Sequence, residues 1–208
     1  MKMLNKKERQ IFYLFVRHHL LKNSPIGSKY LAKKINYKFS APLLRFYFRR
    51  LAQKGLLLSK IQGRYPSDEG WKYYLAQYEI RPEIKIRNEN LKVIIKNYLK
   101  LAKNSFIIID KFRGIKIKGL HYLAQGLEKE SLCDALMFIE NVEKNIYKIE
   151  EKIGVKIGKE IDNSKTNNLS LGFIRGENKF YLFIGPKKNY YHTLWSILNK
   201  IKNKEKDK

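Results

Sequence analysis

The sequence predicts an α+β chain: an N-terminal winged helix-turn-helix head followed by a smaller α+β domain. Three observations carry that prediction. Residues 9–67 hold 13 Lys and Arg and not one Asp or Glu. Within them, apolar residues at helical spacing are punctuated by Pro, Gly and Ser, and a short strand–turn–strand pattern closes the stretch. From about residue 105 the chain changes to short apolar runs suited to strands, alternating with helical stretches.

The 208 residues suffice for one large or two small domains with a buried core. A hydrophobic fraction of 44% with 13% aromatics is that of a globular chain. The formal net charge is +25. Residues 1–78 carry 17 Lys and Arg against Glu8, Asp68 and Glu69, a net of +14. General richness in Lys, Asn and Ile accounts for part of this excess, but not for its clustering. Like charges at that density repel and weaken the compact state, so a polyanionic partner is the expected compensation.

Cys133 is the single cysteine, which excludes an internal disulfide and a cysteine-based zinc site. The first ten residues, MKMLNKKERQ, lack an apolar core with a small-residue cleavage site. No apolar run approaches the roughly 18 residues of a membrane span. A soluble cytoplasmic protein with no membrane association is the expectation.

In the head, Ile11, Leu14, Phe15 and Leu21 fall at helical spacing, giving a first helix over 6–22. Pro25 and Gly27 stop it, and Ser28 is placed to cap a second helix with Leu31, Ala32 and Ile35 inward. Ser40 caps a third helix, Pro42 is tolerated in its first turn, and Gly55 ends it. With Leu44 toward the core, Phe48 and Leu51 share its face and Tyr47 lies at the edge. Arg45, Phe46, Arg49 and Arg50 point away. A solvated basic face is the bland alternative; three arginines on one face of an acid-free segment favour recognition of nucleic acid. Two extended segments around Gln62-Gly63 form the wing, with Lys60 and Arg64 beside its tip. Ser67 caps a fourth helix whose Trp71, Tyr73, Tyr74 and Tyr78 fit core packing better than base stacking.

In such a head the third helix enters the major groove. Arg45 and Arg49 are the expected base-edge contacts. Arg50, Lys29, Lys33, Lys60 and Arg64 are the expected phosphate contacts. Ser40, Phe46 and Gly63 complete the candidate DNA-binding set.

Residues 25–28 (Pro-Ile-Gly-Ser), Leu31-Ala32, Ser40 to Arg45, Leu51, Gly55 and the run Gly63-Arg64-Tyr65-Pro66-Ser67-Asp68-Glu69-Gly70-Trp71-Lys72-Tyr73-Tyr74 resemble the head of the HrcA heat-inducible transcription repressors. The resemblance implies a repressor of heat-shock or chaperone genes that binds an inverted-repeat operator as a homodimer, with control by chaperonin. Leu43 and Phe46 stand where Thr and Asn are usual in that family, and the wing is about two residues shorter, which implies a different base preference.

Residues 79–104 read as a linker and a connecting helix over 91–102, 105–202 as the second domain and 203–208 as a charged tail. Strands are expected at 105–110, 115–118, 155–160, 169–175 and 179–184, with a hairpin turn at Gly176-Glu177-Asn178 and a break at Gly185-Pro186. Helices are expected at 119–126, 190–202 and, as one long stretch with Leu132, Leu136, Ile139, Val142, Ile146 and Ile149 inward, 132–152. Leu99 to Asp110, Gly119-Leu120 and Phe183 to Pro186 with Tyr191 resemble the family's GAF-like dimerisation region, so a truncated GAF-like domain is implied. Material is missing between about Asp110 and Ile115, which marks a shortened member.

Catalytic chemistry finds no support. His18 and His19 diverge on one helix, His121 and His192 stand alone, and the HExxH, Walker, GxGxxG and GxSxG patterns are absent. Glutamates of the 128–151 region fit solvated ion pairs. No enzyme activity, cofactor, metal or catalytic residue is expected. Two other readings are a nonspecific nucleic-acid clamp and a winged helix whose basic face meets an acidic protein.

Overall fold

Asn5 and Glu8 start the first helix by capping each other. The Asn5 amide donates to Glu8 Oε2 at 3.0 Å and the Glu8 amide to Asn5 Oδ1 at 2.9 Å, a reciprocal capping box. The computed structural model describes residues 4–22, 24–79, 90–146, 149–161, 166 and 168–206. It divides into units spanning 1–80 and 81–208. The linker expected at 79–90 lies almost wholly outside the described residues.

In the first unit, α1 (Lys6–Lys22) buries Ile11, Phe12, Phe15, Val16 and Leu20. Leu21, expected inward, is 67% exposed. Val16 and Leu20 make one i,i+4 step, which leaves Leu21 about 100° off the buried stripe. Helix α2 (Ser28–Lys34) buries Leu31 and Ala32. Its N-cap is Gly27 without a side-chain bond, not Ser28. The backbone of Ile26 exchanges hydrogen bonds of 2.8 and 3.1 Å with Arg64. That bridge keeps the chain extended through Gly27, so Ser28 falls inside the first turn. Ile35, also expected inward, is the half-buried C-cap.

Asn36 and Tyr37 follow with left-handed φ of 50° and 54°, an uncommon pair for non-glycine residues. Helix α3 (Ala41–Gln53) is capped by Ser40, carries proline in its first turn and buries Leu44, Phe48 and Leu51, as expected. Strands β1 (Leu57–Lys60) and β2 (Gly63–Pro66) pair antiparallel from Leu57↔Pro66 to Lys60↔Gly63, around a turn at Ile61-Gln62. Helix α4 (Asp68–Glu79) is capped by the Ser67 hydroxyl, which accepts from the Gly70 amide at 2.9 Å. Trp71, Tyr73 and Tyr74 are buried. They are core, with Tyr73 edge-on to Phe12 at 5.6 Å, and none presents a face for a base.

The second unit is layered around an antiparallel sheet of order β4-β3-β7-β6-β5 among the described residues. Its strands are β3 (Ser105–Asp110), β4 (Gly114–Lys118), β5 (Ile153–Ile157), β6 (Leu169–Arg175) and β7 (Lys179–Pro186). Alternation divides their side chains between two faces. Ile107, Leu171, Phe173, Leu182 and Ile184 meet Leu123 of α6 (Leu120–Gly126), Ala135, Phe138 and Ile139 of α7 (Lys129–Glu140), and Val142 and Ile146 of α8 (Val142–Ile146). The opposite face receives α5 (Leu91–Ala102) and α9 (Tyr191–Lys206): Tyr98 lies edge-on to Phe183 at 5.8 Å, and a Cβ on Gly172 would come within 2.7 Å of Leu194.

Four expectations are corrected here. The helix expected over 132–152 is two helices, interrupted at Asn141, whose side chain donates to the Met137 carbonyl at 3.0 Å. Such back-bonding competes with the helix. The buried stripe of the first helix runs through Ala135, Phe138 and Ile139, which leaves Leu136 44% exposed. Residues 147–148 of that stretch lie outside the described residues. The strand expected at 155–160 runs over 153–157 and gives way to a 3-10 turn at Gly158–Glu160, where Gly158 has φ 58°. Gly185-Pro186 does not break the sheet, since Ser170↔Gly185 and Leu169↔Pro186 continue the ladder. Gly185 is there for space: a Cβ would sit 1.7 Å from Asn104 Oδ1. Residues 203–206, assigned to a tail, belong to α9, and Glu205 Oε1 accepts the Tyr181 hydroxyl at 2.7 Å.

Asn189 centres a buried polar network. It accepts from Tyr98 Oη at 2.6 Å and from the Tyr190 amide at 2.8 Å, and donates to Ser170 Oγ at 2.9 Å. Asn104 Nδ2 donates to Tyr98 Oη at 2.9 Å. At the far end of β3, the Asp110 carboxylate accepts from the amides of Phe112 and Arg113 at 3.0 and 3.2 Å, closing the turn into β4. Those bonds hold its carboxyl below the usual range, against the opposing effect of burial.

Candidate nucleic-acid interface

The buried stripe of α3 fixes what its other side exposes. With Leu44, Phe48 and Leu51 inward, Arg45, Phe46, Arg49 and Arg50 project outward, and Phe46 is 51% exposed with its ring edge-on to Tyr47 at 5.3 Å. Arg45 and Arg49 are exposed guanidinium groups. Lys29 and Lys33 are exposed on α2, and Lys60 at the hairpin tip has its ammonium 5.1 Å from the Tyr65 ring centre. Ser40 performs a structural task, its hydroxyl accepting the Leu43 amide at 3.4 Å.

Arg50 and Arg64 have further bonding that the sequence did not reveal. Arg50 Nε lies 2.9 Å from Glu8 Oε1, and Lys54 Nζ donates to Glu8 Oε2 at 2.7 Å. The first is an ion pair by distance without hydrogen-bond geometry, since that oxygen has no hydrogen-bonded partner among the described residues. Glu8 is fully buried. Burial alone would raise its carboxyl, but the Lys54 hydrogen bond, the Asn5 amide and the two cations outweigh it and hold it below 4.5. Arg64 is half-buried, with its guanidinium 5.7 Å from the Phe48 ring centre. Burial, and then the charge of Arg49, push that guanidinium down from its ordinary value.

Gly63 carries φ 145°, and a Cβ there would lie 2.9 Å from the Ile26 backbone. The hairpin therefore meets the entrance to α2 at a spot only glycine can occupy. The sequence reading also passed over Tyr37, 69% exposed in the left-handed turn between α2 and α3; Asn36 beside it was the available signal. His19 is a satisfied core histidine: its Nδ1 donates to the Ser24 carbonyl at 3.1 Å and its ring stacks on Phe15. Among the described residues no cluster of His, Cys, Asp and Glu is fit to hold a metal ion, and no helix is long and apolar enough to cross a membrane.

No protein-family model matches this chain. Among curated proteins it is 39% identical over 74 residues to the heat-inducible transcription repressor HrcA of Cyanothece sp. (strain PCC 7425 / ATCC 29141), covering 35% of this chain and 20% of that protein. It is 32% identical over 111 residues to HrcA of Limosilactobacillus reuteri (strain DSM 20016), covering 52% of this chain and 30% of that one. The match thus spans 20% to 30% of these relatives' length. Among solved structures, a hypothetical protein in a crystal structure at 2.2 Å matches with a TM-score of 0.80 and 15% identity, over 98% of this chain and 97% of that one; that likeness speaks to the fold alone. Over part of its length, then, the chain is similar in sequence to the HrcA heat-inducible transcription repressors.

Proposed function

We propose that this protein is a DNA-binding transcription repressor of heat-shock or chaperone genes, acting in the cytoplasm as a homodimer on an inverted-repeat operator. In this reading residues 1–78 are a winged helix-turn-helix head and 105–202 a truncated GAF-like dimerisation domain. The observation that carries it is the outward face of α3, where Arg45, Phe46 and Arg49 stand opposite a fully buried stripe. The partial sequence similarity to HrcA supports the same reading.

Helix α3 enters the major groove, Arg45 and Arg49 read base edges, and Phe46 supplies an apolar contact for a thymine methyl group. Lys29, Lys33 and Lys60 hold phosphates. An incoming phosphate also relieves the mutual repulsion of Arg49 and Arg64. Dimerisation follows from operator symmetry, because a two-fold site needs a two-fold protein. Chaperonin control belongs to the same proposal: operator binding falls on modest warming and returns when chaperonin is added.

Selection of bound duplexes from a random pool tests this reading. Recovered sites should share a motif related to itself by two-fold symmetry. A pool recovered without preference, combined with a steep loss of binding as salt rises, assigns the head to a nonspecific charge clamp instead.

A further inference from the structure

The second unit contains a cavity of about 620 Å³ bounded by α5, β3, the junction of β4 with α6, β7 and α9. That volume lies in the range of small-molecule sites. Its floor is apolar, with Leu99, Phe106 and Ile201 buried and Ile108 half-buried. Phe106 stacks on Tyr181 at 6.3 Å and 8° and on Phe183 at 4.4 Å, so the floor is an aromatic plane held by the sheet.

Around this floor stand the exposed ammonium groups of Lys92 and Lys96 on α5, Lys118 on β4 and Lys204 on α9. Glu205 also lines the cavity, and its Oε1 accepts the Tyr181 hydroxyl. Four cations against one carboxylate leave a positive rim. An apolar floor beneath a cationic rim complements one kind of ligand, an apolar chain ending in an anionic head. A second copy seated here two-fold symmetrically would bring the lysine rim against itself, like charge facing like charge.

We propose that this groove binds an amphipathic anion, its chain over Phe106 and Ile108 and its carboxylate or phosphate monoester among the four lysines. The site lies wholly within residues 81–208 and does not depend on the DNA-binding proposal.

Isothermal titration of the full chain with dodecanoate, dodecyl phosphate and dodecanol, each below its micelle concentration, tests this. Saturable binding of one anion per chain is expected, with dodecanol weaker by about tenfold or more. Comparison of the two anions separates a fatty acid from a phosphate monoester. Lys96→Glu with Lys204→Glu should weaken the preferred anion by about tenfold or more while leaving circular dichroism and the melting temperature unchanged. Should that variant fail to fold, Lys96→Gln with Lys204→Gln removes the charges without adding new ones and should weaken binding in the same sense. Absence of saturable heat with both anions, equal affinity for dodecanol, or indifference to both substitution pairs overturns the proposal. So does sedimentation in which charge reversal strengthens self-association, which would give the groove to a second copy. Duplex binding by the head is a separate readout, so either proposal can fail without the other.

Discussion

Glu8 at the start of α1 is joined to Lys54 at the end of α3 by a 2.7 Å hydrogen bond, with Arg50 2.9 Å from the other carboxylate oxygen. The lone acid of the first 67 residues is thus spent inside the protein, holding α3 to α1. Glu8→Gln preserves the capping pattern with Asn5 and removes the charge, at an expected cost of about 1–2 kcal/mol. Lys54→Met should cost more, about 2–3 kcal/mol, because it strands a buried carboxylate with a single, partly exposed cation. Denaturant melts of the two variants give the order directly; a more damaging Glu8→Gln would contradict this arrangement.

The same group sets a pH dependence. A carboxyl held below 4.5 in the folded state binds fewer protons there than in the unfolded chain. Its stabilisation is complete above that value and is lost as pH falls through the folded-state pKa. The stability gap between the wild type and Glu8→Gln should therefore close below about pH 4.5, as thermal melts from pH 7 to 3 would register.

Arg45→Ala or Arg49→Ala is expected to cost about 1–3 kcal/mol at the selected operator and to relax its sequence preference. Arg50→Ala should behave differently, losing stability through Glu8 more than base discrimination. Fluorescence anisotropy on specific and random duplexes distinguishes the three. Equal losses on both duplexes for Arg45 and Arg49 would reduce them to phosphate contacts.

Gly63→Ala combines a φ of 145° with a Cβ 2.9 Å from the Ile26 backbone. Neither contact partner is a flexible side chain, so the hairpin must shift. A loss of about 2–4 kcal/mol is expected, with amide exchange rising first at Ile26 and Arg64. Unchanged exchange at those two amides would show that the hairpin is not anchored there.

Asn189→Leu removes the acceptor of the Tyr98 hydroxyl and the donor to Ser170 in one step. About 2–4 kcal/mol should be lost from the second unit. Tyr98→Phe, which deletes one hydroxyl and spares the Asn189–Ser170 bond, should cost less. Calorimetry of the full chain should show only the transition of residues 81–208 moving.

The head was legible because its signals are local. Apolar spacing located α1 and α3, Ser40 and Ser67 announced their helices, and a glycine followed the end of α3. What stayed hidden depends on distant chain. Ser28 lost its cap because Ile26 pairs with Arg64, 38 positions later in the sequence. The pairing of Glu8 was equally hidden, because Arg50 and Lys54 reach it only after the helices pack. In the second unit, Gly185-Pro186 has the composition of a breaker, yet the ladder to β6 runs through it because Gly185 makes room for Asn104. The outward face of α3 could be read from Leu44 alone, whereas the cavity beside Phe106 draws its walls from segments as far apart in sequence as Asn90 and Glu205 and has no linear signature.

The Asp110 turn has a consequence for what this architecture tolerates. A strand whose own final carboxylate ties off the following bend is self-finished, with no dangling amides waiting for additional sequence. Longer chain spliced between β3 and β4 would emerge into solvent, and loop entropy grows only slowly with length. The hairpin is in that sense a socket: it can stand plugged or vacant while the sheet behind it keeps its register.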